Sequence, residues 1–310
     1  MTYNRIAVYG HRGWVSSAIF AALVQSGAPV KVLYRPSSDI SDLPEGVTSV
    51  EVDVEDQQAV EAALQDVDIV ISLVGQEGVP RQHGLVKAIP ETNVKLFVPS
   101  DLAFRCDAQG LRVPINQLKF EVEEAAKKAG IAMTIVLPGF FAESFLSTGM
   151  VGVDVSENRI VFSGDSGHQV VNICTREYVA AAYAAIFAKT PILELENKVF
   201  GLSEVQATGE DVATALEKRH SAPPTTFRHS LEEVDRQIQD RLDKGQPLAN
   251  AWYCRRIWGA GKIPELIGSD IWEVDGYSKK SLEELIVDDK LVAYREGSPA
   301  FQAAVEKMFY

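Results

Sequence analysis

Apolar residues in the first half of the chain fall into short continuous runs, and stretches of helical period lie between them. Ile6–Tyr9 is the first such run, and it ends at a glycine loop. Residues 14–25 carry a helical pattern that stops at Gly27. Further strands are predicted over 30–34, 47–54, 69–74, 96–98 and 133–137, with helices over 57–64, 85–89 and 115–129 between them. Strands that are apolar throughout, spaced by amphipathic helices, belong to a parallel sheet covered on both faces. Right-handed crossovers then wind the chain into a Rossmann-type, doubly wound α/β sheet.

After Gly139 the rhythm changes. Residues 140–168 read as loop-rich, with Gly149, Gly152, Gly164 and Gly167 among them. An alanine-rich helix over 178–188 and a short strand over 199–202 follow, and Thr208 is placed to cap a helix over 210–219. The remainder is predicted to be mainly helical, over 231–242, 251–258 and 282–286. The expected organisation is a dinucleotide-binding domain over 1–150 and a smaller, mainly helical substrate or cap domain over 151–310. Segments near 170–205 are expected to return to the sheet.

Composition narrows the function. A chain of 310 residues with 46 % hydrophobic and 24 % charged residues builds a core without staples. The net charge of −13 argues against a nucleic-acid binder and against an anionic membrane surface. It leaves room for a small anionic ligand, because local fields oppose a net charge. Three scattered cysteines, Cys106, Cys174 and Cys254, fit a reducing compartment. No basic, apolar signal-like segment opens the chain, so a soluble, cytoplasmic protein is expected, as a monomer or homodimer. The five histidines show no metal-ligand spacing, and no metal is expected.

The glycine loop reads Gly10-His11-Arg12-Gly13-Trp14-Val15-Ser16. Gly10 permits the tight turn, and Gly13 lets backbone approach a diphosphate. Ser16 is small enough to pack helix on strand. The N–H groups of Trp14 and Val15, with the helix dipole behind them, suit an anion. A β–α turn that binds nothing has the same glycines. At the end of the second strand an NAD-binding protein carries a carboxylate; here the chain reads Tyr34-Arg35-Pro36-Ser37-Ser38. A guanidinium grips a 2′-phosphate bidentately, so Arg35 points to NADPH/NADP+. Ser37 is a further donor, and Arg12 is a second cation candidate; Asp39 reads as a turn residue.

Lys119 is the chemical candidate. Its helix carries Ile115, Leu118, Val122, Ala125, Ala126 and Ala129 on one apolar stripe, and Lys119 is the charge nearest to it. A lysine at the edge of a buried face is placed to donate a proton into a cleft. A pair with Glu123 or a snorkelling stem accounts for the same pattern.

Several motifs, in this order, resemble the NmrA-like and isoflavone reductase-like group of atypical short-chain dehydrogenases. They are Gly10-x-x-Gly13, Arg35, Phe97-Val98-Pro99-Ser100-Asp101, Lys119, and Gly130-Ile131-x-x-Thr134 with Pro138-Gly139-Phe140-Phe141-Ala142. The resemblance covers about residues 5–145. It implies an NADP(H) domain with a small C-terminal substrate domain, and Lys119 as catalytic acid or base. It also implies that Pro99, Ser100, Pro138, Gly139, Phe140 and Phe141 line the nicotinamide pocket. Ser72, Leu73 and Val74 then lie along the adenosine half, and Asp101 falls on the substrate side. Members of the group reduce phenylpropanoid-type ethers, enones or related aromatic compounds of secondary metabolism.

The Tyr-x-x-x-Lys of ordinary short-chain dehydrogenases is absent, because Ile115 stands four residues before Lys119. Phe141 is a candidate apolar wall for a flat substrate, although core packing would also explain it and Phe140. His168, after Gly167, is either a substrate contact or a surface residue. Trp252, Tyr253, Trp258 and Trp272 read as cap-domain core. The expected function is an NADPH-dependent reductase of a small, apolar, aromatic or enone- or imine-type molecule. A non-catalytic NADP(H)-sensing regulator that binds a protein, and a redox-neutral cyclase or isomerase, are the alternatives.

Overall fold

The computed structural model describes residues 3–310 except Ser37, Pro247, Ala293 and Glu296. Ser37, a candidate phosphate ligand, therefore lies outside the described residues. The strands are β1 Ile6–Tyr9, β2 Val30–Tyr34, β3 Thr48–Glu51, β4 Ile69–Ser72, β5 Leu96–Val98, β6 Thr134–Leu137, β7 Phe140–Phe141, β8 Val153–Asp154, β9 Arg159–Ser163, β10 Val171–Cys174, β11 Lys198–Gly201, β12 Val205–Ala207 and β13 Thr225–His229. The first four α-helices are α1 Trp14–Gln25, α2 Gln57–Leu64, α3 Gln82–Ala88 and α4 Pro114–Lys128.

Two compact units form. The first takes residues 1–102, 114–136 and 179–200. Its five-stranded sheet has the order β3-β2-β1-β4-β5, all parallel. A single bridge from Phe97 to Met133 continues it toward β6, which pairs with β11. Every residue of β1, β4 and β5 is buried, as strands sandwiched between helices require. Chain order reverses between β1 and β4, so their carboxyl ends open the crevice where doubly wound sheets take ligands.

The helices cover the faces by the stripes read from sequence. On α4, Val122 and Ala126 are buried in the core with Phe97, and Ile115, Leu118 and Ala125 pack at its edge. Pro114 opens α4, where its fixed φ suits the first helical residue and its missing N–H costs nothing. On α3, Gly84 lies directly on the backbone of Val54: a Cβ there would come within 1.9 Å of the Val54 carbonyl oxygen.

The second unit takes residues 103–113, 137–178 and 201–310. The stretch 140–168, expected to be loop-rich, instead holds β7, a helix Ala142–Ser147, β8 and β9. β9 pairs in parallel with β13, a strand that the helical reading of the C-terminal half left out. β13 is half-exposed along its length, so its sequence has no apolar run to announce it. Strands of two to five residues are too short for periodicity to reveal, and the partners of β7 and of β9 in β13 lie far along the chain. β10 binds β7 on one side and β12 on the other. Thr208 caps the helix Gly209–His220 through a reciprocal capping box with Asp211.

Trp252, Tyr253 and Trp258 are buried on the helix Ala249–Gly259, as the core reading required. Beside them Arg255 is fully buried and donates to the carbonyl oxygens of Met150 and Met308. Cys174 and Cys254 are buried and form no disulfide among the described residues. Among the described residues no helix is long and apolar enough to cross a membrane.

Replacing Gly84 by alanine must push α3 off Val54. Overpacking of this kind costs about 1–3 kcal/mol. Gly84→Ala is expected to lower the urea midpoint accordingly, despite alanine's better helix propensity; an unchanged midpoint would contradict the contact.

Candidate functional site

The first unit gathers its candidate residues at the carboxyl ends of β1, β4 and β5. Gly10 follows β1 at φ +92°, a left-handed conformation that glycine adopts without a Cβ clash. A Cβ at Gly10 would sit 3.0 Å from Leu73 C and O and from Val74 N, so the turn and the end of β4 approach as closely as backbones allow. The Leu73 N–H donates to Tyr9 O at 2.7 Å and holds that approach. Ser16, where a third glycine is more usual, is buried, and its hydroxyl donates to Leu73 O at 2.7 Å. The serine thus packs α1 against β4 and adds a bond that glycine lacks.

Gly13 is the extended N-cap of α1 and offers no side-chain hydrogen bond to it, and the first turn holds no acidic residue. The positive end of a twelve-residue helix is therefore left to an outside anion. Trp14 and Val15 are half-buried in its first turn, and Arg12 is exposed. Two buried polar atoms near this turn have no hydrogen-bond partner among the described residues: Ser72 Oγ at the end of β4 and His11 Nε2 inside the loop. A closely approached glycine turn, an uncapped helix start and orphaned polar atoms fit the diphosphate of a dinucleotide.

Arg35 follows β2 and is exposed. It acts on the Tyr9 phenol together with Arg81; burial pushes that phenol up, and the two guanidiniums oppose the rise. Arg81 was not singled out in the sequence, because it sits in a 3₁₀ turn with no motif around it. Arg12, the second cation candidate, donates to the main-chain oxygen of Asp39 at 2.9 Å and so ties the glycine loop to the loop after β2. Asp39 is a turn residue, accepting the Ser41 N–H.

The chain of contacts continues along the sheet end. Ser100 Oγ donates to Val74 O at 2.8 Å, and its N–H donates to Gln82 Oε1 at 2.9 Å. Gln82 is thus a positioning residue that no motif marked. Pro99, Ser100 and Asp101 are all buried. The turn closes with the Asp101 N–H donating to Pro99 O. Lys119, from the second turn of α4, brings Nζ to 3.6 Å from Asp101 Oδ1. Asp101, expected on the substrate side, therefore faces the lysine.

In the second unit Pro138, Gly139 and Phe140 form a buried turn into β7. Gly139 has φ +72°, and a Cβ there would meet Asn172 O at 2.7 Å. Asn172 holds the turn by donating to Pro138 O and Leu202 O. The Phe140 ring packs in an aromatic cluster with Phe104 and Phe145. Phe141 is half-buried, in register with Cys174. His168 is exposed, its ring between Asp165 and Glu210. Its hydrogen bond to the Asp165 carboxylate and the charge of Glu210 raise its pKa.

Glu143 escaped the sequence reading, although a carboxylate inside the apolar run Gly139-Phe140-Phe141-Ala142-Glu143-Ser144-Phe145-Leu146 was its signal. It is buried. Oε1 accepts the Arg176 N–H at 3.0 Å, and Oε2 has no partner among the described residues. Burial pushes its carboxyl up to about 7, against the pull of the Arg176 amide.

The strand order and crevice define a Rossmann-type, doubly wound fold. Over 92 % of this chain and 98 % of the other, the structure is similar to that of leucoanthocyanidin reductase with NADPH from Vitis vinifera, with a TM-score of 0.73 and 17 % identity. The sequence pattern of the NmrA-like family matches residues 2–251, and the chain belongs to that family. It is 30 % identical over 257 residues to the isoflavone reductase homolog IRL of Zea mays, covering 76 % of this chain and 81 % of the relative. It is 27 % identical over 239 residues to a phenylcoumaran benzylic ether reductase of Ginkgo biloba, covering 70 % and 78 %.

The Glu143 carboxyl generates a signed pH prediction. Its folded pKa of about 7 lies above its ordinary 4.5. Below about 4.5 both states hold the proton and nothing is lost. Between the two values the unfolded state ionises first, so stability falls, and above about 7 the loss is complete, on the order of 3 kcal/mol. Glu143→Gln keeps the acceptor for Arg176 and removes the charge. It is expected to be more stable than the parent at pH 8 and equal to it at pH 4; a gap that does not vary with pH would refute the assignment.

Proposed function

We propose that this chain is an NADPH-dependent reductase of a small, apolar substrate with an electrophilic carbon, of the aromatic, enone or imine type. The observation that carries the reading is the continuous path at the sheet end. It runs from the Gly10 turn through Leu73, Val74 and Ser100 to Asp101 and Lys119. The relatives support it: the ginkgo protein is named a reductase, and the grape structure is a reductase bound to NADPH.

In this reading the first unit holds the cofactor. Gly10, Gly13 and the start of α1 take the diphosphate. Arg35 takes the 2′-phosphate, with Arg12 and Arg81 as neighbouring cations and Ser37 as a further donor. Ser72, Leu73 and Val74 lie along the adenosine half. Pro99 and Ser100 flank the nicotinamide. Bound NADPH supplies the hydride. Lys119 Nζ gives a proton to the anion that develops on the substrate, and its positive charge stabilises that anion. Ile115, half-buried against the core, offers no acid of its own, so the lysine acts without the usual tyrosine.

Arg35→Ala removes a charge-assisted contact worth about 1.5–3 kcal/mol, so NADPH affinity by titration calorimetry is expected to fall roughly 10–100-fold while NADH affinity stays level. Equal affinity of the parent for both cofactors would overturn the 2′-phosphate assignment. NADPH oxidation, followed by absorbance across a panel of aromatic enones, imines and quinones, tests the reaction. Lys119→Ala is expected to lower turnover about 100- to 10,000-fold with NADPH binding intact. Binding of NADPH without oxidation by any panel member would favour a regulator, and product without oxidation a redox-neutral enzyme.

A further inference from the structure

We propose that Asp101 is a positioning residue, the anchor that fixes the Lys119 ammonium, and not a group that contacts the substrate. The proposal rests on the reading of Lys119 as the proton donor. Its geometry lies wholly within the first unit.

Asp101 is only 7 % exposed. A carboxylate buried that far needs a cation or several donors to offset its lost hydration. Lys119 Nζ, 3.6 Å from Oδ1, is such a cation. The lysine itself is held in: its side chain is 21 % exposed, against 75 % for Lys127 on the same helix. A free lysine stem spreads its ammonium over many rotamers. A fixed carboxylate at its tip confines that spread, and proton transfer is sensitive to such placement.

The anchor is itself immobile. The Asp101 N–H is tied to Pro99 O, and its neighbour Ser100 is tied to Gln82 and Val74. Tyr183, fully buried on the helix Arg176–Phe187, lies close enough for the Asp101 charge to add to the burial that raises its phenol. The separation of 3.6 Å is longer than a full charge-assisted hydrogen bond of about 2.8 Å. Lys119 carries three N–H donors, so the pair orients the ammonium and leaves donors for a substrate oxygen or nitrogen. An apolar substrate of the proposed class has little to donate to a carboxylate, which only accepts.

The test compares the full-length parent with Asp101→Asn, Asp101→Glu and Lys119→Ala, using NADPH and 9,10-phenanthrenequinone as the probe. Asp101→Asn is expected to lower kcat about 10–100-fold, with KM for the quinone and affinity for NADPH changed less than about threefold. Asp101→Glu, which keeps the charge, is expected to recover most of the loss. A tenfold rise in KM at constant kcat would make Asp101 a substrate ligand and overturn the proposal, as would full activity in Asp101→Asn.

A second readout needs neither turnover nor a mutant that folds. With ¹⁵N-labelled lysine, the Lys119 ammonium signal of the parent is expected to be resolved, with slower proton exchange than that of Lys127. An averaged, fast-exchanging signal like that of Lys127 would refute the anchor. If Lys119→Ala kept full turnover while the parent gave this resolved signal, the catalytic reading of Lys119 would fail and the ion pair would stand.

Discussion

The contact between the Gly10 turn and the end of β4 governs the first unit. With Cβ clearances of 3.0 Å to Leu73 and Val74, no other residue type fits without moving backbone. Because β1 and β4 are locked there, α1 starts at a defined place and points its uncapped N-terminus outward. Val74 is equally fixed, and through it Ser100 and the Asp101 turn are fixed as well. The proposed phosphate-binding and proton-donating groups thus depend on one close approach of two main chains.

Charge is arranged against the overall balance. The chain carries −13, yet the sheet end of the first unit collects Arg12, Arg35, Arg81, Lys119 and a helix N-terminus. Local field, not net charge, decides what such a crevice attracts. The second unit shows the opposite device, a carboxyl kept in apolar surroundings. Glu143 sits behind β7, with one oxygen on the Arg176 amide and the other without a partner among the described residues. A polar group so placed is costly in its charged form, which is why its titration moves toward neutrality.

Much of the first unit was legible because its signals are local. Strands buried on both faces read as unbroken apolar runs, and β1, β2, β4 and β5 fell within the expected stretches. The apolar stripe of α4 is the stripe the sequence carried, except that Ala129 lies exposed beyond the helix end, and Ser16 packs where its size suggested. The second unit was less legible. β8 is only two residues long and β13 pairs with a strand distant in sequence, so β13 and the strands within 140–168 went unread. Glu143, Gln82 and Arg81 belong to no motif, and only their neighbours give them meaning.

Sequence alone determined the doubly wound sheet, the glycine turn after the first strand, the cation after the second and the lysine at the edge of a buried stripe. Each of these follows from residue type and spacing within a few turns of chain. Tertiary structure decided which side chains face one another: Asp101 against Lys119, Arg12 on the Asp39 main chain, Ser100 between Gln82 and Val74. Such pairings join residues 18 to 27 positions apart, and spacing carries no information about them until the sheet brings its strand ends together.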